Sequence, residues 1–216
     1  MATKKMKPAN AEIEPAGFAR LVPTQKRSRE RYEKILECAA EMIAERGSEA
    51  FRMSDIVERS GVPFGSLYQY FPDKTAIIGT LAERYNAVGR ACVRQELASV
   101  TDTAGLRPAL WRIVDGYYRM FTHEPVMRDI WQATQADRAL QKLDEDDSEF
   151  LAGLLLETLK RVAPRRDVAT LAATARLTMT LIAAAVRHAI TLKPKEAERM
   201  IALFKRMLPD NPAALA

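Results

Sequence analysis

A short run of small, aromatic and hydroxyl-bearing residues is the part of this 216-residue chain best suited to binding chemistry. Gly65 and Ser66 would let a backbone or a base edge approach closely, and Tyr68, Gln69 and Tyr70 add hydroxyl and amide groups on the next helical turn. A buried helix does not need so many hydroxyls, and a solvated helix does not need so much aromatic surface. The pattern therefore predicts a helix that contacts a nucleic acid.

Two short helices and a tight turn would position these residues. The first helix is predicted over about 54–60, and Gly61 allows the positive φ that a sharp helix-to-helix turn requires. Pro63 suits the first turn of the second helix, which should end near Phe71 because Pro72 disfavours helix at the residue before it. This arrangement is a helix-turn-helix unit, whose second helix enters the DNA major groove.

The same segment carries a family resemblance. Residues 61–74 read Gly-Val-x-x-Gly-Ser-Leu-Tyr-x-Tyr-Phe-Pro-x-Lys, which resembles the DNA-binding signature of the TetR (tetracycline-repressor-like) transcriptional regulators. The resemblance covers about the first third of the chain. The sequence departs from the family pattern at Arg52, where a capping Thr is common, at Pro63-Phe64, which replaces a Ser-basic pair, and at Gln69, where a basic residue is frequent.

The candidate DNA-binding residues extend from a basic cluster at the first helix to the end of the second short helix. We expect the Lys and Arg side chains to neutralise phosphates and the helix side chains to reach base edges. The candidates are Lys26, Arg27, Arg52, Ser54, Pro63, Phe64, Gly65, Ser66, Tyr68, Gln69, Tyr70 and Lys74.

Composition narrows the class of protein. A net charge of +5 favours a polyanionic partner, and the hydrophobic fraction of 48% is that of a soluble globular protein. The most apolar stretch, residues 177–186, is too short to span a bilayer, and no secretory signal is visible. We therefore expect a cytoplasmic protein with no membrane partner.

The sequence predicts no catalytic site. It contains no phosphate-binding glycine loop, paired metal-ligand motif or nucleophile elbow, so we expect no cofactor, no metal and no enzyme activity. Cys38 and Cys92 lie far apart on the apolar sides of helical patterns. Reduced core thiols are the favoured interpretation, and redox sensing is the alternative.

Apolar spacing predicts an all-α fold without a competing strand pattern. We expect a flexible arm over 1–24, a three-helix helix-turn-helix DNA-binding domain over 25–74, and an α-helical ligand-binding and dimerisation domain over 75–216. A long helix over about 74–99, capped by Asp73, would join the two domains. The remaining helices are predicted over 28–46, 106–123, 126–136, 139–162, 168–192 and 196–208, with a kink or loop at the acidic run 144–147.

Aromatic and methionine side chains crowd one part of the second domain, and such side chains suit an adaptable apolar pocket. The ligand-binding candidates are Trp111, Tyr117, Tyr118, Phe121, Met127, Trp131, Gln135, Met179 and His188. Each could instead be an ordinary core residue. The family resemblance implies a pocket among these helices, and a long connecting helix that transmits ligand-driven motion.

The segment 168–192 is apolar over such a broad arc that it must be buried or paired. The family resemblance implies a two-fold homodimer built from this helix and the next one, and an intrachain core helix is the alternative. The interface candidates are Leu171, Ala175, Thr178, Ile182, Val186, Ile201 and Phe204.

Together these features favour a ligand-responsive transcriptional repressor. Its dimer would bind a palindromic operator in double-stranded DNA, and a small apolar or amphipathic effector would release it. A helical small-molecule carrier or enzyme with an incidental basic arm is the competing class. An activator or an architectural DNA-binding protein is a third possibility, because the sign of regulation depends on the position of the operator.

Overall fold

The computed structural model describes residues 17–215, and every regular element in that range is a helix. The all-α fold predicted from the sequence is confirmed. The helices are α1 Lys26–Arg46, α2 Met53–Ser60, α3 Phe64–Tyr70, α4 Lys74–Ala98, α5 Leu106–His123, α6 Val126–Ala136, α7 Arg138–Val162, α8 Val168–Ala189 and α9 Pro194–Met207, with short 3-10 turns at Thr103–Gly105 and Pro212–Leu215.

The helices form two compact units. Of the described residues, the first unit comprises 17–87 together with Glu124–Asp144, and the second comprises Val88–His123 together with 145–215. Helices α4 and α7 each contribute residues to both units. These units differ from the predicted domains, which placed the boundary at residue 74 and gave every later residue to the second domain.

The apolar core of the first unit explains this difference. Ile35 of α1, Ile56 of α2 and Leu67 of α3 are fully buried in a cluster that also contains Ile130 of α6 and Leu140 of α7. Three short helices alone enclose little apolar surface. The helix-turn-helix therefore shares its core with α6 and the beginning of α7.

Residues 17–24, which we call the N-terminal strap, pack against the rest of the first unit. The ring of Phe18 covers Gly79 so closely that a Cβ placed on Gly79 would lie 2.5 Å from Phe18 Cγ. The backbone N–H of Arg20 donates to the carbonyl of Tyr70 at 2.9 Å. The predicted flexible arm is therefore wrong for residues 17–24, and its residues 1–16 lie outside the described residues.

Helix α7 runs through the acidic residues 144–147, so the predicted loop there is wrong, and the alternative of a kink within the helix stays a prediction. Arg90 Nε donates to Asp147 Oδ1 at 2.5 Å, and the Arg90 guanidinium lies 5.0 Å from the centre of the Phe150 ring. One acidic side chain of the run is therefore paired with a cation of α4, which favours the helical conformation over a solvated loop.

Candidate nucleic-acid interface and effector domain

The turn between α2 and α3 has the geometry that its sequence predicts. Gly61 adopts the left-handed conformation, with φ 65° and ψ 14°, and its N–H donates to the carbonyl of Val57 at 2.9 Å. Ser60 Oγ accepts the N–H of Val62 at 3.1 Å, which fixes the exit from the turn. Pro63 then precedes the first residue of α3.

Helix α3 has one buried face and one exposed face. Leu67, Tyr70 and Phe71 are buried, and the rings of Tyr70 and Phe71 lie 5.6 Å and 4.9 Å from the ring of Tyr32 in α1. Because Tyr70 is only 2% exposed, the prediction that it contacts DNA is wrong. Its aromatic ring pins α3 to α1 instead.

The exposed face of α3 carries most of the predicted base-reading residues. Phe64 is 51% exposed and Tyr68 is 43% exposed, and their rings stack with centroids 6.2 Å apart and planes inclined by 12°. Pro63, Gly65 and Gln69 are exposed beside them. Ser66 is half-buried, and its Oγ accepts a hydrogen bond from Arg31 Nη1 at 3.4 Å.

Arg31 belongs to the basic cluster at the start of the first helix, for which the sequence predicts DNA contact. It is four residues from Arg27, so the two share a face of α1. Lys26 and Arg27 are exposed at the start of α1, and Arg52 is exposed at the start of α2. Within the described residues, Lys26, Arg27 and Arg52 form no ion pair. Ser54 is also exposed, and its Oγ donates to Asp55 at 3.2 Å.

Lys74 differs from the other predicted phosphate-binding cations. It is half-buried, its Nζ donates to the carbonyl of Ser48 at 3.1 Å, and it lies 5.5 Å from the centre of the Phe51 ring. Its side chain therefore closes the turn after α1. Arg59 is also engaged within the unit, because it donates twice to Glu45, at 2.7 Å and 2.6 Å, and this pairing lowers the pKa of that carboxyl.

Trp111, a predicted ligand-binding residue, fastens α5 to α9 in the second unit. Its indole N–H donates to the carbonyl of Lys205 at 2.7 Å, and Arg107 lies 5.0 Å from the centre of its ring. Lys205 Nζ in turn donates to Asp115 Oδ2 at 2.6 Å. Because the polar group of Trp111 is occupied by α9, its contacts support a structural role.

Other predicted ligand-binding residues of the second unit differ in their exposure. Tyr117 and Phe121 stack edge to face at 5.1 Å, and the hydroxyl of Tyr117 accepts a bond from Arg187 Nε at 3.4 Å. Met179 is buried and Tyr118 is half-buried. His188 is exposed, on the outer side of α8.

The remaining candidates lie in the first unit. Met127 is buried, Trp131 is half-buried and Gln135 is exposed. The side-chain amide of Gln135 donates to Asp144 at 3.3 Å, and its backbone carbonyl accepts a bond from Gln141 at 2.7 Å. Gln135 therefore ties α6 to α7.

A groove of about 540 Å³ opens in the second unit, and none of the predicted ligand-binding residues lines it. It lies between the C-terminal halves of α4 and α7. Arg161 is one of its lining residues and donates to the carbonyls of Leu97 and Val100, which closes the C-terminal end of α4. The lining is Arg94, Leu97, Ala98, Leu154, Glu157, Thr158, Lys160 and Arg161.

The predicted interface residues of α8 and α9 are largely buried within the single chain. Leu171, Ala175, Thr178, Ile182, Val186 and Ile201 all face the core of the second unit, and Phe204 is half-buried. The prediction that the six buried residues contact a second subunit is therefore wrong. The sequence has apolar residues on two faces of α8, and periodicity alone does not say which of the two faces inward.

The opposite face of α8 and α9 leaves large aliphatic side chains exposed. We call Leu177, Leu181, Leu203 and Met207 the α8–α9 stripe, and they are 60%, 46%, 49% and 72% exposed. The two leucines of α8 are four residues apart, as are Leu203 and Met207 of α9. The exposed Ala173, Ala184 and Ala202 flank them.

Helix α8 is also long and apolar enough to cross a membrane, by length and composition. The sequence-based exclusion rests on residues 177–186 alone, and the whole helix has 22 residues. A core helix of a soluble protein passes the same test. Eight of its side chains are buried within the chain, and Arg176 pairs with Glu149 of α7 at 2.7 Å.

Burial raises the pKa of both thiols. Cys38 is buried in α1 and Cys92 is half-buried in α4, and desolvation disfavours the thiolate in each case. Among residues 17–215, no group of three or more His, Cys, Asp or Glu side chains is placed to hold a metal ion.

Comparison with protein families covers both units. Residues 35–81 match the model for bacterial regulatory proteins of the tetR family, and residues 104–211 match the model for the tetracyclin repressor-like C-terminal domain. The C-terminal match spans half of the chain. It begins beyond the segment that carries the sequence signature, so the two matches are independent.

Individual relatives agree with these matches. An uncharacterised HTH-type transcriptional regulator of Bacillus subtilis, YvdT, is 45% identical over 53 residues, or 24% of this chain and 27% of that protein. The fatty acid metabolism regulator protein of the same species is 25% identical over 130 residues, or 60% and 65%. This chain therefore spans less than two thirds of either relative.

A solved structure shares the fold over a longer range. A TetR-family transcriptional regulator from Pectobacterium atrosepticum superposes with a TM-score of 0.64, at 18% identity, over 86% of this chain and 96% of that one. At this identity, the likeness establishes the fold. Together with the two family models, it shows that this chain belongs to the TetR family of bacterial transcriptional regulators.

Proposed function

We propose that the protein is a ligand-responsive transcriptional repressor that binds a palindromic DNA operator as a homodimer. The observation that carries this proposal is the exposed face of α3. Phe64 and Tyr68 project from it while Leu67 on the opposite side is fully buried. A short helix anchored by one face and bare on the other suits insertion into a major groove.

Unpaired cations support DNA contact around α3. Lys26, Arg27 and Arg52 are exposed without an ion pair in the described residues, whereas Arg59 and Arg84 are held by Glu45 and Glu33. Cations that are already neutralised within the chain contribute little to phosphate binding. We assign phosphate contacts to the three unpaired side chains and base contacts to Phe64, Ser66, Tyr68 and Gln69.

The α8–α9 stripe supports a two-fold dimer. Exposed aliphatic side chains on two packed helices form a surface that an identical copy can cover by self-complementary packing. The small alanine side chains that flank them allow close approach of helices. We therefore assign the interface to Leu177, Leu181, Leu203 and Met207, in place of the buried residues predicted from the sequence.

We place the effector among the aromatic side chains of the second unit. Tyr117, Tyr118 and Phe121 lie on α5, and Met179 lies on α8. Because Phe121 and Met179 are buried, an apolar ligand would have to enter between these polarisable side chains. The Tyr117 hydroxyl and Arg187 supply polar groups beside it. This combination suits an amphipathic effector, and the similarity to the Bacillus subtilis fatty acid metabolism regulator makes fatty acids the first class to test.

Neither an enzyme activity nor a cofactor is part of the proposed function. The relatives described above are regulatory proteins, and we assign no catalytic residue or cofactor to this chain. We place the protein in the cytoplasm, where its DNA and effector would be available. The buried face of α8 and the pairing of Arg176 with Glu149 within the chain argue against a membrane span, and we assign the exposed face to the subunit interface.

The direct test is binding of the purified protein to labelled DNA from the region flanking its own gene, measured across a salt series. We expect tight binding whose logarithm falls linearly with the logarithm of salt concentration. Tyr68→Ala should weaken binding by at least roughly tenfold, since base contacts carry the specificity. Phe150→Ala, an exposed aromatic outside the first unit, should leave binding unchanged. Addition of a chain-length series of saturated fatty acids should release the DNA.

Two results would contradict the proposal. If binding were weak and equal for the wild type and Tyr68→Ala on every fragment of the flanking region, α3 would not be a recognition helix. If DNA binding were specific but no fatty acid released it, the DNA-binding part would stand and the effector class would be wrong.

A further inference from the structure

The ring of Phe64, which stacks with that of Tyr68, lies at the N-terminal end of α3. A recognition helix reads bases from this end. Phe64 is the first residue of α3, and half of its surface is exposed. Residues at the N-terminal end of a recognition helix reach the base edges. A phenylalanine there has no hydrogen-bonding group, so it reads an edge only through apolar contact.

One neighbour of Phe64 is aromatic and the other leaves space beside it. The ring of Tyr68 lies parallel to that of Phe64, with centroids 6.2 Å apart, so the two form one apolar surface. Gly65 has no other atom within 4 Å of the position that its Cβ would occupy, so no packing within the chain requires a glycine there. The absence of a side chain at Gly65 opens the surface next to Phe64 to a base pair.

In the major groove, the apolar feature of the natural base edges is the C5-methyl group of thymine. Every base presents hydrogen-bonding groups there that Phe64 cannot satisfy, and thymine alone adds a methyl group that Phe64 can pack against. We propose that Phe64, supported by Tyr68, determines specificity by packing against a thymine methyl group in each half-site of the operator. This inference rests on the proposed DNA-binding function, and it identifies the chemical group that the interface reads.

The test removes one methyl group at a time from the DNA. Once the wild type has selected its sites from random duplexes, each thymine of a half-site is replaced in turn by deoxyuridine. Dissociation constants are then measured by fluorescence anisotropy. Burial of one methyl group corresponds to roughly a fourfold change in affinity. We expect a loss of about that size at one thymine per half-site.

Protein variants connect that thymine to Phe64. Phe64→Ala should bind the thymine and deoxyuridine duplexes equally at the sensitive position, while keeping any sensitivity elsewhere. Tyr68→Phe retains the stacked ring and should keep the discrimination, whereas Tyr68→Ala should reduce it. Since both side chains are largely exposed, all three variants should match the wild type in circular dichroism and melting temperature.

The outcomes separate this inference from the proposed function. If the wild type selected no sequence, the DNA-binding function itself would fail, and this inference with it. If the wild type selected an operator but deoxyuridine had no effect at any position, or if Phe64→Ala kept the full discrimination, only the thymine assignment would be overturned.

Discussion

Two surfaces of this protein expose large apolar side chains, and their surroundings differ. On α3, the aromatic rings of Phe64 and Tyr68 lie in a unit that also exposes Lys26 and Arg27, which form no ion pair with any residue of the range 17–215. On α8 and α9, the exposed side chains are aliphatic, such as those of the α8–α9 stripe, with alanines beside them. Exposed apolar area alone does not identify a partner. The accompanying charge and side-chain shape favour a polyanion at the first surface and a second protein copy at the other.

The largest effect is expected from introducing charge into the α8–α9 stripe. Leu177→Glu with Leu181→Glu should convert the proposed dimer to a monomer, because two carboxylates per subunit would be buried against their copies. Loss of the second half-site contact should weaken operator binding by roughly a hundredfold or more. Light scattering after size-exclusion chromatography and a DNA titration would measure both effects.

Leu21→Glu is the matched control for that variant. Leu21 is an exposed leucine in the N-terminal strap, away from α8 and α9 in the chain, and its replacement should leave the mass of the dimer unchanged. A dimer that survived the α8 double substitution would show that the stripe is covered by something else.

A smaller effect is expected from the cations of the DNA-binding surface. Each phosphate contact removed should lower the slope of log affinity against log salt by about 0.9. Lys26→Gln and Arg27→Gln should each produce such a change, while Arg165→Gln, at an exposed position between α7 and α8, should not. An unchanged slope in both of the α1 variants would remove these residues from the interface.

Packing of the N-terminal strap against α4 should contribute to the stability of the protein. Gly79→Ala would force Cβ into the ring of Phe18, and overpacking of this kind costs about 1–3 kcal/mol. Gly89→Ala lies in the same helix with no atom within 4 Å of the new Cβ, and it should be neutral or stabilising. Thermal unfolding would compare them.

A second substitution checks the cause of the Gly79→Ala effect. Phe18→Ala removes the obstructing ring, so the double variant should be more stable than the sum of the single effects predicts. Strict additivity would mean that Phe18 does not occupy the space above Gly79 in solution.

The smallest effect is expected at the cysteines. Burial raises the pKa of Cys38 and Cys92, so less thiolate is present at neutral pH than for a free cysteine. Alkylation by iodoacetamide should therefore be slow near neutral pH and should accelerate as the pH rises, with urea-unfolded protein as the fast control. Rapid alkylation near neutral pH together with loss of DNA binding would support the alternative interpretation that the cysteines sense redox state.

Much of the structure of the first unit could be predicted from the conformational preferences and spacing of neighbouring residues. Gly61 and Pro63 define the turn from their own backbone preferences, and the spacing of Ile35 and Leu36 marks the inner face of α1. The positions of proline and glycine predicted the ends of the helices to within a few residues. These features depend on a residue and its immediate neighbours, so a single sequence contains them.

Features that depend on distant partners could not be obtained in this way. Tyr70 could have pointed to DNA or to Tyr32, and Trp111 could have met a ligand or the α9 backbone, because each choice is set by a residue far along the chain. The two apolar faces of α8 posed the same problem. Ile182 is buried and its neighbour Leu181 is exposed because of the face that α8 turns toward α5 and α9, and periodicity alone does not distinguish the two faces.

Two copies of α3 should read DNA with two-fold symmetry, because the proposed repressor binds a palindromic operator as a homodimer. Hydroxyl-radical footprinting of the wild type on the region flanking its own gene would reveal the symmetry. We expect two equivalent protected windows whose centres lie about one helical turn of DNA apart, or a multiple of that distance, and their loss in Tyr68→Ala. A single unsymmetrical window, or protection that Tyr68→Ala retains in full, would contradict two-fold reading by α3.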